Sequence, residues 1–152
     1  MCACVLCACK SGPPIYRYHD LLAGEALAIG RITMLKTKHP EETKIFVKSN
    51  KQEMAESYLL NSGGYFCWKL KTGKYTIISF QLKNRHYGRI WVDFEIPGEK
   101  KYYYIGSLEI APGVISRVKI TDDLFLDTDN FKERFGIERQ NLTTMLMTKE
   151  KL

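Results

Sequence analysis

The sequence predicts an all-β protein, an antiparallel seven-stranded β-sandwich followed by a short C-terminal helix. Three observations carry that prediction. Apolar residues recur with period two from about residue 26, the pattern of strands with one buried face. Turn-forming pairs punctuate these runs at short intervals. The 152 residues, 45% hydrophobic and 12% aromatic, suffice for one domain burying about 70% of its unfolded surface, with no metal or disulfide staple.

The chain opens Met-Cys-Ala-Cys-Val-Leu-Cys-Ala-Cys-Lys-Ser-Gly-Pro-Pro. Residues 1–8 are small, apolar and uncharged, and Lys10 to Pro14 then switch to linker chemistry. Leu6-Cys7-Ala8-Cys9 resembles the bacterial lipobox, with small residues ahead of an acceptor cysteine. The resemblance implies cleavage before Cys9 and diacylation of its sulfur, with residues 1–8 a truncated signal-peptide remnant lacking the basic start. Two acyl chains anchor a protein stably where one is marginal. Residues 9–25 then form the lipidated cysteine and tether, and the protein belongs to the bacterial cell envelope. A different reading keeps Cys2, Cys4, Cys7 and Cys9 together as thiolate ligands for a soft metal. Disulfides among them are disfavoured, because loops of one or two residues seldom allow the geometry.

Residues 26–120 form the sandwich. Ile90, Val92, Phe94 and Ile96 share one face, with Arg89, Trp91, Asp93 and Glu95 on the other. Thr76, Ile78, Phe80 and Leu82 alternate in the same way, as do Phe66, Trp68 and Leu70. Further β-rich runs cover 27–35, 44–48, 101–110 and 114–120. Turns are expected at Ser62-Gly63-Gly64, Thr72-Gly73-Lys74, Tyr87-Gly88, Pro97-Gly98 and Pro112-Gly113. Residues 51–60 fit either a loop or a short helix.

Residues 121–152 are expected to pack on the sandwich as a helix and tail. Asn130 and Glu133 fit a capping-box variant. Phe131 and Phe135 share a helical face, and Gly136 ends the helix.

The run from Gly64 to Ile77, Gly-Tyr-Phe-Cys-Trp-Lys-Leu-Lys-Thr-Gly-Lys-Tyr-Thr-Ile, resembles a motif of carboxypeptidase-regulatory-like domains. The resemblance implies a prealbumin-like (transthyretin-like) sandwich with a hairpin turn at Gly73. Lys101 to Ile110 resembles a strand of bacterial lipoproteins that carry such a domain. The resemblance covers about residues 26–120 and brings no catalytic residue with it.

Little in the sequence points to catalysis. His19, His39 and His86 sit in linker, turn or strand-end contexts outside any hydrolase or zinc motif. Cys67 opposes Phe66 and Trp68 in parity and reads as a structural thiol. Asp122, Asp123, Asp127 and Asp129 miss the glycine and closing glutamate of a calcium loop, and suit a helix N-terminus instead. No phosphate-binding glycine loop occurs. The expectation is therefore a non-enzymatic interaction or structural module with no cofactor and no metal.

The remaining candidate site is a carbohydrate or peptidoglycan platform of Tyr75, Trp91 and Tyr103. Those rings would stack on sugars beside Lys69, Arg89, Arg117 and Lys119. The opposing reading has the C-terminal helix covering that face through Phe131 and Phe135. The expected partners are the membrane, through the lipid, and a cell-wall glycan or envelope protein. A net charge of +6 dispersed along the chain, with no binding motif, argues against nucleic acid. No apolar run approaches the ~18 residues of a membrane-spanning helix.

Overall fold

The computed structural model describes residues 21–83 and 86–149. These are mostly β, with two sheets and one short helix. The strands are β1 (Glu25–Met34), β2 (Lys44–Ser49), β3 (Glu56–Leu59), β4 (Tyr65–Lys71), β5 (Gly73–Gln81), β6 (Tyr87–Ile96), β7 (Tyr102–Ala111) and β8 (Arg117–Thr121). Helix α1 (Leu124–Phe135) follows, then β9 (Leu142–Thr144) and β10 (Thr148–Lys149).

The first sheet has the order β4-β1-β7-β8, with β9 also on β7, and the second runs β10-β6-β5-β2-β3. Their inner faces meet in one core. Ile32, Phe66, Trp68, Ile105 and Leu108 come from the first sheet, and Ile45, Ile77, Phe80, Val92 and Ile96 from the second. Volume is matched locally within the first sheet. Ala26, Ala28 and Gly30 of β1 lie opposite Leu70, Trp68 and Phe66 of β4, so a strand of small side chains leaves room for stacked aromatics. The Phe66 and Trp68 rings stand 4.0 Å apart at 21°.

Two expectations about the sandwich need correcting. The described residues form ten strands rather than seven, because β3, β9 and β10 span only four, three and two residues, too short to show a period. The first sheet is also mixed: β1 pairs β7 in parallel, and β7 pairs β9 in parallel. A period of two reports which face is buried and carries no information about direction.

Two predicted turns differ as well. The expected hairpin at Gly73 is a corner, since β4 lies in the first sheet and β5 in the second. Tyr87-Gly88 belongs to β6. The Phe80 ring occupies the space that a side chain at Gly88 would need.

Helix α1 starts earlier than the Asn130 capping box suggests, with Asp123 at its N-cap. Asp122 Oδ1 accepts from the Leu124 N–H at 3.2 Å, and Gly136 closes the helix in the left-handed region at φ 68°. Phe131, Phe135 and Ile137 pack on Leu27, Ile29, Cys67 and Tyr104, the outer face of the first sheet. Each large apolar side chain buried this way contributes about 1.5–3 kcal/mol. Beyond the helix, the tail adds β9 to the first sheet and β10 to the second, with Met147 buried in the core between them.

Gly30 is one of the tight points of this packing. A Cβ there would run into the Gly106 carbonyl oxygen and lie 2.6 Å from Phe66 Cζ. Gly30→Ala should therefore cost about 2–3 kcal/mol. Gly113→Ala, which meets nothing nearer than 3.5 Å, should stay within about 0.5 kcal/mol of wild type. Urea unfolding of the two variants checks this, and equal midpoints would contradict the packing described.

Candidate binding surface

Strand β6 alternates without interruption, so Ile90, Val92, Phe94 and Ile96 are buried and Tyr87, Arg89 and Trp91 face outward. Beside them the β7–β8 hairpin turns at Pro112-Gly113. Its next two residues, Val114 and Ile115, are fully exposed and 83% exposed. At the free edge of β6, the register of β10 sets Lys149 against Val92. These pieces line a groove of about 610 Å³ that includes Tyr87, Arg89, Trp91, Val114, Ile115, Arg117 and Lys149. Among the described residues three cations line it and no carboxylate does, so its field favours an anionic partner.

A larger groove of about 750 Å³ lies further along the outer face of the second sheet, lined by Lys48, Lys74, Glu53, Asp93 and Glu95 among others. Its charges are of both signs, and Asp93 already accepts a hydrogen bond from Thr76 Oγ1 at 2.6 Å. It offers no selective field.

The expected three-ring platform does not form. Trp91 is 47% exposed, but Tyr75 and Tyr103 are core residues at 8% and 2%. Tyr75 stacks on Phe94 at 5.3 Å, and its hydroxyl donates to the Lys71 carbonyl at 2.6 Å. The cause is a bulge in each strand. The pairing of β5 shifts around Ile78, so Tyr75, Ile77 and Phe80 all point inward and Thr76 does not. The pairing of β7 shifts at Gly106, so Tyr103 and Ile105 share the core with Leu108 and Ile110. Of the cations expected beside the platform, Arg89 and Arg117 join Trp91. Lys69 lies within 4.0 Å of Glu25 on the other sheet, and Lys119 sits opposite Glu109 there.

A second polar constellation escaped the sequence reading. Asp127 is buried beneath α1, where Tyr65 donates to Oδ1 at 2.9 Å and Ser107 to Oδ2 at 3.3 Å. Arg31 Nη1 stands 3.6 Å from Oδ1, and the guanidinium groups of Arg31 and Arg134 lie over the Tyr65 ring. Tyr104 accepts from the Asp123 N–H at 2.9 Å. This network fixes the helix to the sheet, since every partner belongs to α1 or to the strands beneath it. The only signal for it in the sequence is an acidic residue one helical turn before Phe131.

The other candidates are scattered. His39 contacts Glu41 at 3.2 Å on the surface, and His86 lies near the Phe80 ring. Asp123 accepts from Thr121, and Asp129 is exposed. Among the described residues no three His, Cys, Asp or Glu side chains gather as a metal site requires, and no helix is long and apolar enough to cross a membrane. His19, Cys2, Cys4, Cys7 and the proposed lipid acceptor Cys9 lie outside the described residues. Comparison of the chain with protein families, curated proteins and solved structures finds no match in any of the three.

Asp127→Ala removes the shared acceptor of two buried hydroxyls and should destabilise the fold by about 2–3 kcal/mol. Thermal or urea unfolding measures the loss, and a wild-type midpoint would show that the network is not what holds α1.

Burial pushes the Cys67 thiol from 9.0 up to about 12. Burial first, then the hydrogen bond to Asp127, raises Tyr65, and burial raises Tyr104. In each case the folded state keeps its proton longer than the unfolded state. Their contribution to stability is therefore complete below pH 9 and is lost as pH climbs through the raised folded values. Urea midpoints should fall steadily above pH 9, and Cys67 should react with thiol reagents at pH 8 only on unfolding. A midpoint constant to pH 11, or rapid native labelling, would refute this burial.

Proposed function

We propose that the chain is a non-enzymatic interaction module of the bacterial cell envelope, tethered by a lipid on Cys9, that meets an anionic partner through the groove beside Trp91. The observation that carries the binding half is the cationic lining, in which Arg89, Arg117 and Lys149 are grouped with an exposed indole and, among the described residues, no carboxylate. The tether rests on the lipobox-like Leu6-Cys7-Ala8-Cys9. A prealbumin-like arrangement of the sandwich belongs to the same proposal and rests on the motif spanning Gly64 to Ile77. The chain's chemistry is recognition: rings and guanidinium groups bind, and no step of bond making is assigned to them.

The exposure of Trp91 also favours a second reading, an acidic glycan whose sugar ring stacks on the indole. Tyr75 and Tyr103 take no part in it, being in the core.

Two charge-reversed variants of the full chain test the binding half. R89E/R117E alters the groove, and K51E/K71E makes the same change in net charge away from it. At low salt, affinity for dextran sulfate should fall roughly tenfold or more in the first and less than about twofold in the second. Equal losses would leave only nonspecific charge and defeat the proposal. Mass spectrometry of protein from bacterial membranes should find a diacylglyceryl group on Cys9 with residues 1–8 removed. An unmodified, uncleaved N-terminus would defeat the tether.

A further inference from the structure

The exposed surface carries one feature that an anionic partner alone does not explain. Val114 and Ile115 project from the β7–β8 turn with almost no protein contact, and a pair of bare aliphatic residues at a convex tip is costly to leave in water. Pro112 and Gly113 form the turn that presents them. The basic residues stand just behind the tip, Arg117 at the start of β8 and Arg89 on the neighbouring β6. Trp91, an amphipathic ring, lines the same groove. An aliphatic tip is thus bordered by aromatic and cationic side chains.

We infer that the β7–β8 hairpin is a membrane-inserting tip: Val114 and Ile115 enter the hydrocarbon border of an anionic bilayer, Trp91 sits at the interface, and Arg89, Arg117 and Lys149 meet lipid phosphates. This rests on the anionic-partner reading above and names the partner. A bilayer fits better than a protein pocket because a convex tip needs no complementary cavity in a fluid surface. Aliphatic insertion with a basic collar is how peripheral proteins bind, each half contributing separately. The grouping of three cations, with no carboxylate among the described lining residues, suits this arrangement, since anionic lipid attracts the one and repels the other.

The test uses the full chain carrying Cys9→Ser, so that no acyl chain contributes. Vesicles of phosphatidylcholine with about one third phosphatidylglycerol should bind it about a hundredfold more tightly than phosphatidylcholine alone, from three cations at the surface. V114D/I115D should lose at least about tenfold of that affinity. Its unfolding curve should match wild type, because both positions are bare. A measurement on the unsubstituted tip accompanies it: lipids brominated on their tails should quench the emission of Trp91, while buried Trp68 is unaffected. Vesicle binding that survives V114D/I115D without quenching would overturn insertion. Binding to dextran sulfate but not to anionic vesicles would overturn the bilayer and leave the anionic-partner reading standing. Binding to neither would remove both.

Discussion

The close pass of β1 and β7 at Gly30 and Gly106 is the constraint on which the rest of the structure depends. These strands run parallel at the centre of the first sheet, and their register slips by one residue between Ile29 and Gly30. Gly106 adopts φ 105° there, a conformation that side chains resist. The slip changes which face each half of β7 presents. Before it, Tyr104 faces α1 and Tyr103 the core; after it, Ser107 faces α1 and Leu108 the core. Without the slip, one half of β7 would turn its apolar residues to the wrong side. The partners of Asp127 and the burial of Tyr103 follow from that one extra residue, and with the separate bulge of β5 at Ile78 it removes the expected aromatic platform.

The two sheets have outer faces of different chemistry, which decides where the surface is free. Leu27, Ile29, Cys67 and Tyr104 make the outer face of the first sheet apolar, and α1 covers it. The outer face of the second sheet carries Lys48, Lys74, Thr76, Asp93 and Glu95, which water solvates without a lid. Trp91 and Tyr87 are exceptions on that polar face, large rings left 47% and 52% exposed on either side of Arg89. Exposed aromatics in such company are more informative than any buried one, because packing does not account for them.

Much of this was legible in the sequence wherever a strand ran without interruption. The alternation of β6 gave both its buried face and the outward position of Trp91. The same reasoning failed for Tyr75 and Tyr103 because a bulge inverts parity without altering composition. Gly106 was visible in the sequence, but a glycine in a strand marks a bulge only sometimes. The direction of β1 against β7 was not legible at all, since their pairing joins segments about seventy residues apart in sequence and period two is blind to polarity. The start of α1 was misread because Asn130 and Glu133 satisfy a local capping pattern. The position of the helix is set instead by Asp127 meeting Tyr65 and Ser107 across the sheet. At the tip, Val114 and Ile115 were read as part of a strand; their exposure depends on where the hairpin turns, which the Pro112-Gly113 pair marked.

The parallel pairing of β1 and β7 also bears on how a tether and a tip would act together. Because these strands run the same way, the chain enters the sandwich at Glu25 at the end opposite the Val114–Ile115 turn; Leu35, which follows β1, bonds Ile110 near that turn. Ten residues of strand set roughly 33 Å between the two ends. An upright domain held at its N-terminal end would aim the tip away from the anchoring membrane. The segment from Cys9 to Leu21 can reach at most roughly 40 Å, enough to span that length, so anchor and tip can share one bilayer with the tip turned toward it. The groove behind that tip follows the edge formed by β8, β6 and β10. That edge carries Arg117, Arg89, Trp91 and Lys149. The cations and the indole thus flank the tip that a tether of this length can bring to its own membrane, and α1 packs on a different face, the outer face of the first sheet.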